Sequence, residues 1–321
     1  MLCTQNAADT TPTQGIGHTC WIDLCEPSQD EVRRAASLAG VDERLIEHAL
    51  DLHECPRIEV DDEATLIILR APFLETRGGG SRHSTLPVGV VLSRTAVITV
   101  RRQEDAPLAD ILRRSWGRNG HPDLPGPFRP EQLICALIKG VAQLFMHYLK
   151  DISARIQEVE QDLARSRSNE DLMVLLSLQK SVTYFHSALK TNDFIIDRLE
   201  RKGLMVGACA RLAFSEDEAD VFDDALTDIR QGIYMCKIFN EVLNSVSGVY
   251  SSIISNSVSQ IMKVLTSITV VLMIPTLITS MYGMNIDLPL QSHASAFAFV
   301  AGGTAILTTA IILLLKRSKM L

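Results

Sequence analysis

The chain has 321 residues, of which 46% are hydrophobic, and it carries a formal net charge of −7. The charge is unevenly distributed, because residues 263–321 hold four basic side chains and one acidic one, which leaves −10 for residues 1–262. So acidic a region argues against nucleic acid as a partner, since phosphate contacts need clustered Lys and Arg. It is compatible with a protein that gathers cations, although solubility is the commoner reason for such a charge.

Residues 1–17 contain no basic stretch followed by an apolar run, so we expect a disordered segment without a cleavable signal peptide. All seven cysteines precede residue 263, and none form a Cys-x-x-Cys pair. Incidental thiols in a reducing cytoplasm are therefore favoured over disulfides or a structural zinc site. We expect no covalently bound cofactor.

Residues 18–130 are predicted to form an α/β domain. The segments 65–73 and 88–102 are rich in β-branched residues, which favours buried strands. The glycine-rich segment 77–84 is expected to be a loop between strands, and it lacks the strand-to-helix context of a phosphate-binding loop. The Gly/Pro-rich segment 117–130 is the clearest internal boundary.

Capping signals mark the start of two predicted helical regions. Between Pro27 and Leu50 the pattern predicts two short helices, and Ser28 with Glu31 has the spacing of a capping box at the first. Ser215 and Glu218 repeat this spacing before a much longer apolar pattern.

Residues 131–214 are predicted to be a helical hairpin followed by a break. The two helices of the hairpin are expected over 131–165 and 170–201. From residue 216 no proline or tight-turn signal occurs before Pro275, which predicts one helix to about residue 281, roughly 100 Å long. A helix of this length has to leave the soluble domain.

Two uncharged stretches near the C-terminus are each long enough to cross a bilayer, Val264–Met281 and Ala294–Leu315. Lys263 precedes the first stretch and a basic cluster follows the second, so positive-inside logic places both termini in the cytoplasm. The alternative for either stretch alone is a buried core helix. The predicted order is a stalk helix (215–263), a first span (264–282), an outer loop (283–293), a second span (294–315) and a tail (316–321).

One face of the stalk and first span is small or weakly polar. Its members are Gly248, Ser252, Ser255, Ser259, Met262, Thr266, Thr269, Met273, Thr276 and Ser280. This spacing fits close helix packing, and it fits the wall of a pore equally well. Two helices per chain cannot enclose a water-filled path, so a pore requires several subunits around an axis.

The segment Tyr282-Gly283-Met284-Asn285, directly after the first span, is similar to the signature of the CorA family of metal-ion transporters. Further similarity runs through Trp21-Ile22-Asp23-Leu24 and through residues 43–59, 66–73 and 256–268. The resemblance covers residues 18–319 and identifies the chain as a member of the CorA/ZntB superfamily of divalent-cation transporters.

The resemblance implies a homopentamer in a lipid bilayer, with a funnel-shaped cytoplasmic domain and the first spans as the inner ring of an axial pore. It implies an entrance ring formed by Gly283, Met284 and Asn285, with Gly283 allowing a tight backbone turn. The residues expected to line the pore are Ser259, Met262, Leu265, Thr266, Thr269, Met273, Thr276 and Ser280.

Asn285 has the chemistry that such an entrance needs. Mg²⁺ sheds water reluctantly, and carboxamide oxygens hold its hydration shell less tightly than carboxylates would. A helix C-cap is the alternative role for this asparagine. The outer loop lacks the acidic segment usual in the family, which leaves Asp287 as the one carboxylate to attract cations.

A regulatory metal site in the cytoplasmic domain is a further expectation from the resemblance. His48 occupies the position where the family has a sensing carboxylate, and the acidic start of the stalk offers Asp220, Asp223 and Asp224. Imidazole suits Zn²⁺, Ni²⁺ or Co²⁺ better than Mg²⁺. The alternative is that His48 is a surface histidine on a short helix.

Three functions follow in order of preference. The first is a CorA-like channel of a bacterial-type inner membrane that conducts Mg²⁺, with Co²⁺ and Ni²⁺ as further candidates. The second is a ZntB-like Zn²⁺ transporter, and the third is a non-conducting membrane scaffold or sensor. An enzyme is not expected, because no catalytic constellation or nucleotide-binding motif stands out by spacing.

Overall fold

The structure is a computed structural model of the chain. It describes residues 20–77, 80–102, 107–112, 130–163, 169–202, 204–206, 210–212, 214–284 and 295–318. The chain divides into two compact units, one reaching Ser245 and one starting at Val246. The predicted disordered N-terminus, nearly all of the predicted linker 117–130 and most of the predicted outer loop lie outside the described residues.

A five-stranded mixed sheet organises the first unit, with strand order β1-β5-β4-β3-β2. Its strands are β1 (Cys20–Cys25), β2 (Arg57–Val60), β3 (Ala64–Arg77), β4 (Gly80–Ser93) and β5 (Ala96–Arg101). β1 pairs with β5 in parallel, and the other pairs are antiparallel. The family-like motif Trp21-Ile22-Asp23-Leu24 is thus an edge strand.

Two sequence predictions for this sheet were wrong in detail. The predicted loop 77–84 is mostly strand, because β3 and β4 pair as far as Arg77 and Gly80. The predicted single strand 88–102 is instead the end of β4, a turn and β5. Ser93 closes that turn, since its hydroxyl oxygen accepts hydrogen bonds from the backbone N–H groups of Thr95 and Ala96.

The two predicted short helices are confirmed as α1 (Gln29–Ala39) and α2 (Glu43–Leu50). Ser28 and Glu31 form the predicted capping box. α1 ends at Gly40, whose φ of 65° lies in the left-handed region that favours glycine.

Helices cover both faces of the sheet. α1 and α2 pack on one face, and the helical hairpin packs on the other. The side chains of β3 therefore alternate between two cores: Leu66 and Ile68 join the cluster with α1 and α2, while the intervening Ile67 is buried on the opposite face. This double coverage explains why β3 to β5 have near-continuous apolar runs.

Polar residues of β1 are explained by its pairing with β5. The Asp23 carboxylate accepts hydrogen bonds from the Thr99 hydroxyl at 2.7 Å and from Arg101 Nη2 at 2.6 Å. The Trp21 indole N–H donates to the same Thr99 hydroxyl at 3.1 Å. Because Trp21 and Asp23 are two residues apart, they lie on one side of the strand.

The helical hairpin is confirmed as α4 (Pro130–Leu163) and α5 (Asn169–Lys202), after a short helix α3 (107–112). After α5 the break predicted by sequence contains two short antiparallel strands, β6 (Leu204–Val206) and β7 (Ala210–Leu212). These strands were not predicted.

A fully buried asparagine joins α5 to the sheet. The Asn192 side chain accepts from the Arg70 backbone N–H at 3.0 Å and donates to the Arg70 carbonyl at 2.8 Å. β2 pairs with β3 only as far as Ile68. The side-chain amide of Asn192 therefore satisfies the backbone N–H and C=O groups of Arg70, two residues beyond the end of that pairing.

The long helix is confirmed as α6 (Glu216–Tyr282), and the Ser215–Glu218 capping contacts are present. Its first part runs antiparallel to α5 within the first unit. Arg230 contacts Asp193 at 3.1 Å, and the Gln179 side chain donates to Asn244 at 3.4 Å. The second unit contains the rest of α6 and the last helix, α7 (Ala296–Arg317).

Candidate pore and metal sites

Among the described residues, three helices are long and apolar enough to cross a membrane: α4, α6 and α7. They differ in burial. In α4, 61% of the most apolar window is buried inside the fold, compared with 6% in α6 and none in α7. The apolar residues of α4 thus form part of the core, whereas those of α6 and α7 are left open by the chain itself.

The first predicted span has a covered face and an open face. The less exposed positions of its helix are Ser267, Val271, Ile274, Pro275 and Ile278, which form one stripe. α7 has a similar stripe at Val300, Thr304, Thr308, Ile311 and Leu315. One such stripe on each helix is the pattern expected when two helices pack along them.

The predicted pore-lining residues lie on the other side of α6. At 100° per residue, the stripe from Met262 through Thr269 to Ser280 is roughly opposite the covered stripe centred on Ser267 and Ile274. All eight predicted pore-lining side chains are exposed in the single chain. The sequence-predicted face is therefore free to contact water, lipid or another copy.

Threonine hydroxyls on this open face share one hydrogen-bond geometry. Thr266, Thr269 and Thr276 each donate at 2.8 Å to the carbonyl oxygen four residues earlier. The donor is thereby used within the helix, and each hydroxyl oxygen keeps a lone pair for an outside donor. Such an oxygen can accept a hydrogen bond from a water molecule of a hydrated cation.

The end of α6 carries the first part of the signature segment. The Gly283 N–H donates to the carbonyls of Thr279 at 3.0 Å and Ser280 at 3.2 Å, and the Met284 N–H donates to Met281 at 3.3 Å. Gly283 does not have a positive φ, so the turn observed here does not itself require glycine. Asn285 and Asp287 lie outside the described residues.

His48 lies beside two residues of β2, Arg57 and Glu59. Arg57 Nη2 lies 3.1 Å from His48 Nδ1, and Glu59 Oε2 lies 3.8 Å from the same nitrogen. Because guanidinium can only donate, Nδ1 accepts this bond and the proton of a neutral ring is on Nε2. Neither ring nitrogen then offers a free lone pair to a metal while Arg57 stays in place. The segment Cys55-Pro56-Arg57 gave no sequence signal for this contact.

The acidic start of α6 does not form a metal site with His48 within one chain. Asp220, Asp223 and Asp224 are exposed, and Asp224 lies 3.7 Å from Lys139. In the part of the chain that the structure describes, no group of three or more His, Cys, Asp or Glu side chains could hold a metal. Burial, followed by the charges of Asp223 and Asp197, raises the pKa of Glu200 nearby.

Comparison with known proteins adds a family-level match. A family described as "CorA-like Mg2+ transporter protein" matches residues 17–317. The cobalt/magnesium transport protein CorA of Methanocaldococcus jannaschii is 24% identical over 299 residues, which cover 93% of this chain and 90% of that protein. The corresponding protein of Thermotoga maritima is 20% identical over 285 residues, covering 88% of this chain and 78% of that protein.

Solved structures share the fold. The complete structure of the M. jannaschii CorA magnesium transporter has a TM-score of 0.77 at 24% identity, covering 93% of this chain and 90% of that one. The cytoplasmic domain of ZntB from Vibrio parahaemolyticus has a TM-score of 0.54 at 14% identity, covering 74% of this chain and 88% of that one. Likeness at these identities extends to the fold and not to the transported ion.

Proposed function

This chain belongs to the CorA family, whose members are ion transporters and not enzymes, and we propose that it forms a homopentameric pore for divalent metal cations in a bacterial-type inner membrane. Five copies of α6 line the path, and α7 forms an outer ring. Both termini lie in the cytoplasm and the loop after α6 lies outside.

The observation that carries this proposal is the open hydroxyl face of α6. The hydroxyl groups of three threonines, Thr266, Thr269 and Thr276, donate to backbone carbonyls of their own helix. Rings of these residues would therefore present hydroxyl oxygens as hydrogen-bond acceptors to the pore axis. The waters around a divalent cation point their hydrogens outward, and a path lined by acceptors can hold that shell without removing it. Met262, Leu265 and Met273 supply an apolar constriction that can close by dewetting.

Asn285 is proposed as the entrance ring, together with Gly283 and Met284. Its carboxamide oxygen continues the same acceptor chemistry without the strong hold of a carboxylate. Asp287 is proposed to attract cations to the outer mouth.

Mg²⁺ is the proposed main ion, with Co²⁺ and Ni²⁺ as further cargo. The signature segment supports Mg²⁺, and both curated relatives are named cobalt/magnesium transport proteins. The altered outer loop supports a ZntB-like Zn²⁺ transporter as the second candidate. His48 supports Zn²⁺ less than its residue type suggests, because Arg57 occupies its Nδ1.

A regulatory cation site is proposed where Asp220, Asp223 and Asp224 of one copy meet another copy. His48 can take part only if Arg57 moves away. Substituting His48→Ala is expected to leave the ion preference unchanged and to shift gating by cytoplasmic metal if His48 takes part. A gating curve identical to that of the wild type would remove His48 from the site.

Ion flux into proteoliposomes with metal-sensitive dyes tests the proposal, comparing Mg²⁺ with Zn²⁺ in the presence and absence of a pH gradient. Asn285→Ala is expected to abolish or strongly reduce flux with the oligomer intact. Gln260→Ala is the matched control, because Gln260 is an exposed amide on the same helix and, at 100° per residue, lies on the side of the covered stripe, opposite the pore stripe.

Each result has a distinct meaning. Mg²⁺ entry that does not depend on the pH gradient supports the CorA-like channel. Zn²⁺ movement that depends on the gradient supports the second candidate, a ZntB-like Zn²⁺ transporter. No flux of any divalent cation from an intact oligomer would support the non-conducting scaffold. Equal flux in wild type and Asn285→Ala would remove Asn285 from the path.

A further inference from the structure

The described residues of the second unit carry charge of one sign only. Lys263, Lys316 and Arg317 are their charged side chains, and all three are exposed. No carboxylate occurs among residues 246–284 and 295–318, and no ion pair to another described residue is seen for any of the three cations. The first unit differs, because its arginines are commonly paired, as Arg101 is with Asp23 at 2.6 Å.

These cations flank the apolar stretches of the two helices. Lys263 directly precedes the apolar part of α6, and Lys316 and Arg317 are the last residues of α7. On the proposed topology the chain crosses the bilayer and returns, so all three reach the same membrane surface. A positive group at that depth meets lipid phosphates and not bulk water alone.

An apolar groove adjoins the charged end of α7. It has a volume of about 350 Å³ and is lined by Ile311, Leu314, Leu315, Arg317 and Ser318. The Ser318 hydroxyl donates to the carbonyls of Leu314 at 2.8 Å and Leu315 at 3.2 Å, which satisfies the end of the helix. No described residue forms an ion pair with the Arg317 guanidinium, which lies next to a surface that suits an acyl chain.

We propose that Lys263, Lys316 and Arg317 bind the phosphate of an anionic phospholipid whose acyl chain lies along the end of α7. The ligand is a phosphodiester with an attached hydrocarbon chain, and its negative charge complements a surface whose described residues include no carboxylate. Arginine donates in a fork that matches phosphate oxygens, and the two lysines add point charges. This inference rests on the proposed membrane crossing and not on ion conduction.

The test uses the full chain purified in an uncharged detergent. Short-chain phosphatidylglycerol and phosphatidylcholine are titrated separately, and the thermal unfolding midpoint is recorded at each concentration. We expect phosphatidylglycerol to raise the midpoint and phosphatidylcholine to leave it unchanged. A lysine or arginine at an anionic membrane surface contributes about a fivefold effect on binding, so Lys316→Gln with Arg317→Gln should need about 25-fold more phosphatidylglycerol.

A charge-matched control distinguishes lipid binding at this site from a general effect of the protein's net charge. Lys180→Gln with Lys190→Gln removes two exposed cations from α5 and should bind phosphatidylglycerol as the wild type does. The swap Lys316→Arg with Arg317→Lys keeps both charges and should also retain binding, which guards against a variant that fails to fold. Lys263→Gln should show about a fivefold loss by itself.

Several results would overturn the proposal. Equal stabilisation by the two lipids would mean that the headgroup charge is not recognised. Stabilisation by inorganic phosphate as strong as by phosphatidylglycerol would make the ligand a free anion. Equal losses in the α5 control would reduce the effect to net charge. A chain that binds phosphatidylglycerol as expected but conducts no ion would leave this proposal standing while the proposed function fails.

Discussion

The residues before and after Ser245 differ in where their apolar side chains lie. In the first unit Phe145 and Phe185 are fully buried and pack edge to face with ring centroids 5.1 Å apart. In the second unit Leu272 is 63% exposed and Phe297 is 87% exposed. Both units are apolar in sequence, but only the first provides its own cover.

This difference indicates which parts of the fold the chain completes without other molecules. The first unit has a sheet covered on both faces and pairs many of its polar groups internally, as Asp23 is paired with Arg101. Burying an apolar side chain stabilises a protein by about 1.5–3 kcal/mol. The exposed apolar side chains of the second unit would therefore gain a large amount of free energy if other molecules covered them. In the proposed assembly a bilayer and neighbouring copies would supply that gain together, with lipid on the outer faces, copies packed side by side, and the hydroxyl faces left to the water of the pore.

Truncating one core aromatic residue should produce the largest difference between the two units. Phe185→Ala should lower the free energy of unfolding of the first unit by about 3–5 kcal/mol, because it leaves a cavity beside Phe145 and Tyr148. Leu272→Ala, in the open second unit, should change it by less than about 1 kcal/mol. Urea unfolding followed by tryptophan fluorescence measures this, since both tryptophans precede Ser245.

Equal losses in the two variants would contradict the comparison. That result would mean that the two units unfold as one cooperative body and that Leu272 is covered in the folded assembly. Phe185→Leu is a milder variant for use if the alanine variant does not fold, and it should fall between the other two.

Sequence reasoning predicted the helices of this protein better than its strands. The hairpin helices and the long helix were found to within a few residues, because α4 to α6 have long periodic patterns and a capping box at Ser215. The turn between β4 and β5 was missed, because it has no glycine or proline and is closed by the Ser93 side chain. β6 and β7 are three residues each, too short for a periodic signal.

The candidate site was predictable to a smaller extent. The open hydroxyl face could be predicted from spacing, because it depends only on the geometry of one helix. The contact between Arg57 and His48 could not, because it joins an α2 residue to a β2 residue through a loop whose path the sequence does not fix. The hydrogen bonds between the Asn192 side chain and the Arg70 backbone join residues 122 positions apart, and no local pattern predicts them.

Two glycine-to-alanine variants, one in each unit, test the same comparison with smaller expected changes in the free energy of unfolding. A Cβ added at Gly89 in β4 would clash with the Cβ of Ala49 in α2, so Gly89→Ala should destabilise the first unit by about 1–3 kcal/mol. Gly302, inside α7, has nothing within 4 Å of an added Cβ. Gly302→Ala should leave the stability of the first unit unchanged and favour the helix by up to about 1 kcal/mol. Urea unfolding of both variants provides the measurement.

The oligomer formed by Gly302→Ala gives a second reading. Native mass spectrometry in detergent should show the same assembly as the wild type if α7 faces lipid at this position. Loss of the assembly would show that another copy packs against Gly302, and the open surface of α7 would then be a protein contact.

The smallest predicted effect concerns pH and the first unit alone. Burial against Tyr148 and Phe185 lowers the pKa of His83 below its ordinary value of 6.5, and the charge of Asp151 offsets this only in part. The unfolded chain then binds this proton more readily than the folded chain, so the part of the stability that depends on His83 is constant well above pH 6.5 and falls as the pH drops below it. His83→Phe should flatten part of this fall, whereas His53→Gln, an exposed control, should keep the wild-type slope.

Urea midpoints measured between pH 7.5 and pH 5 test this prediction. Identical slopes in wild type and His83→Phe would mean that the packing around the His83 ring does not resist protonation. Because His83 belongs to the first unit, a pH response of ion flux that survives in His83→Phe would have to originate elsewhere in the assembly.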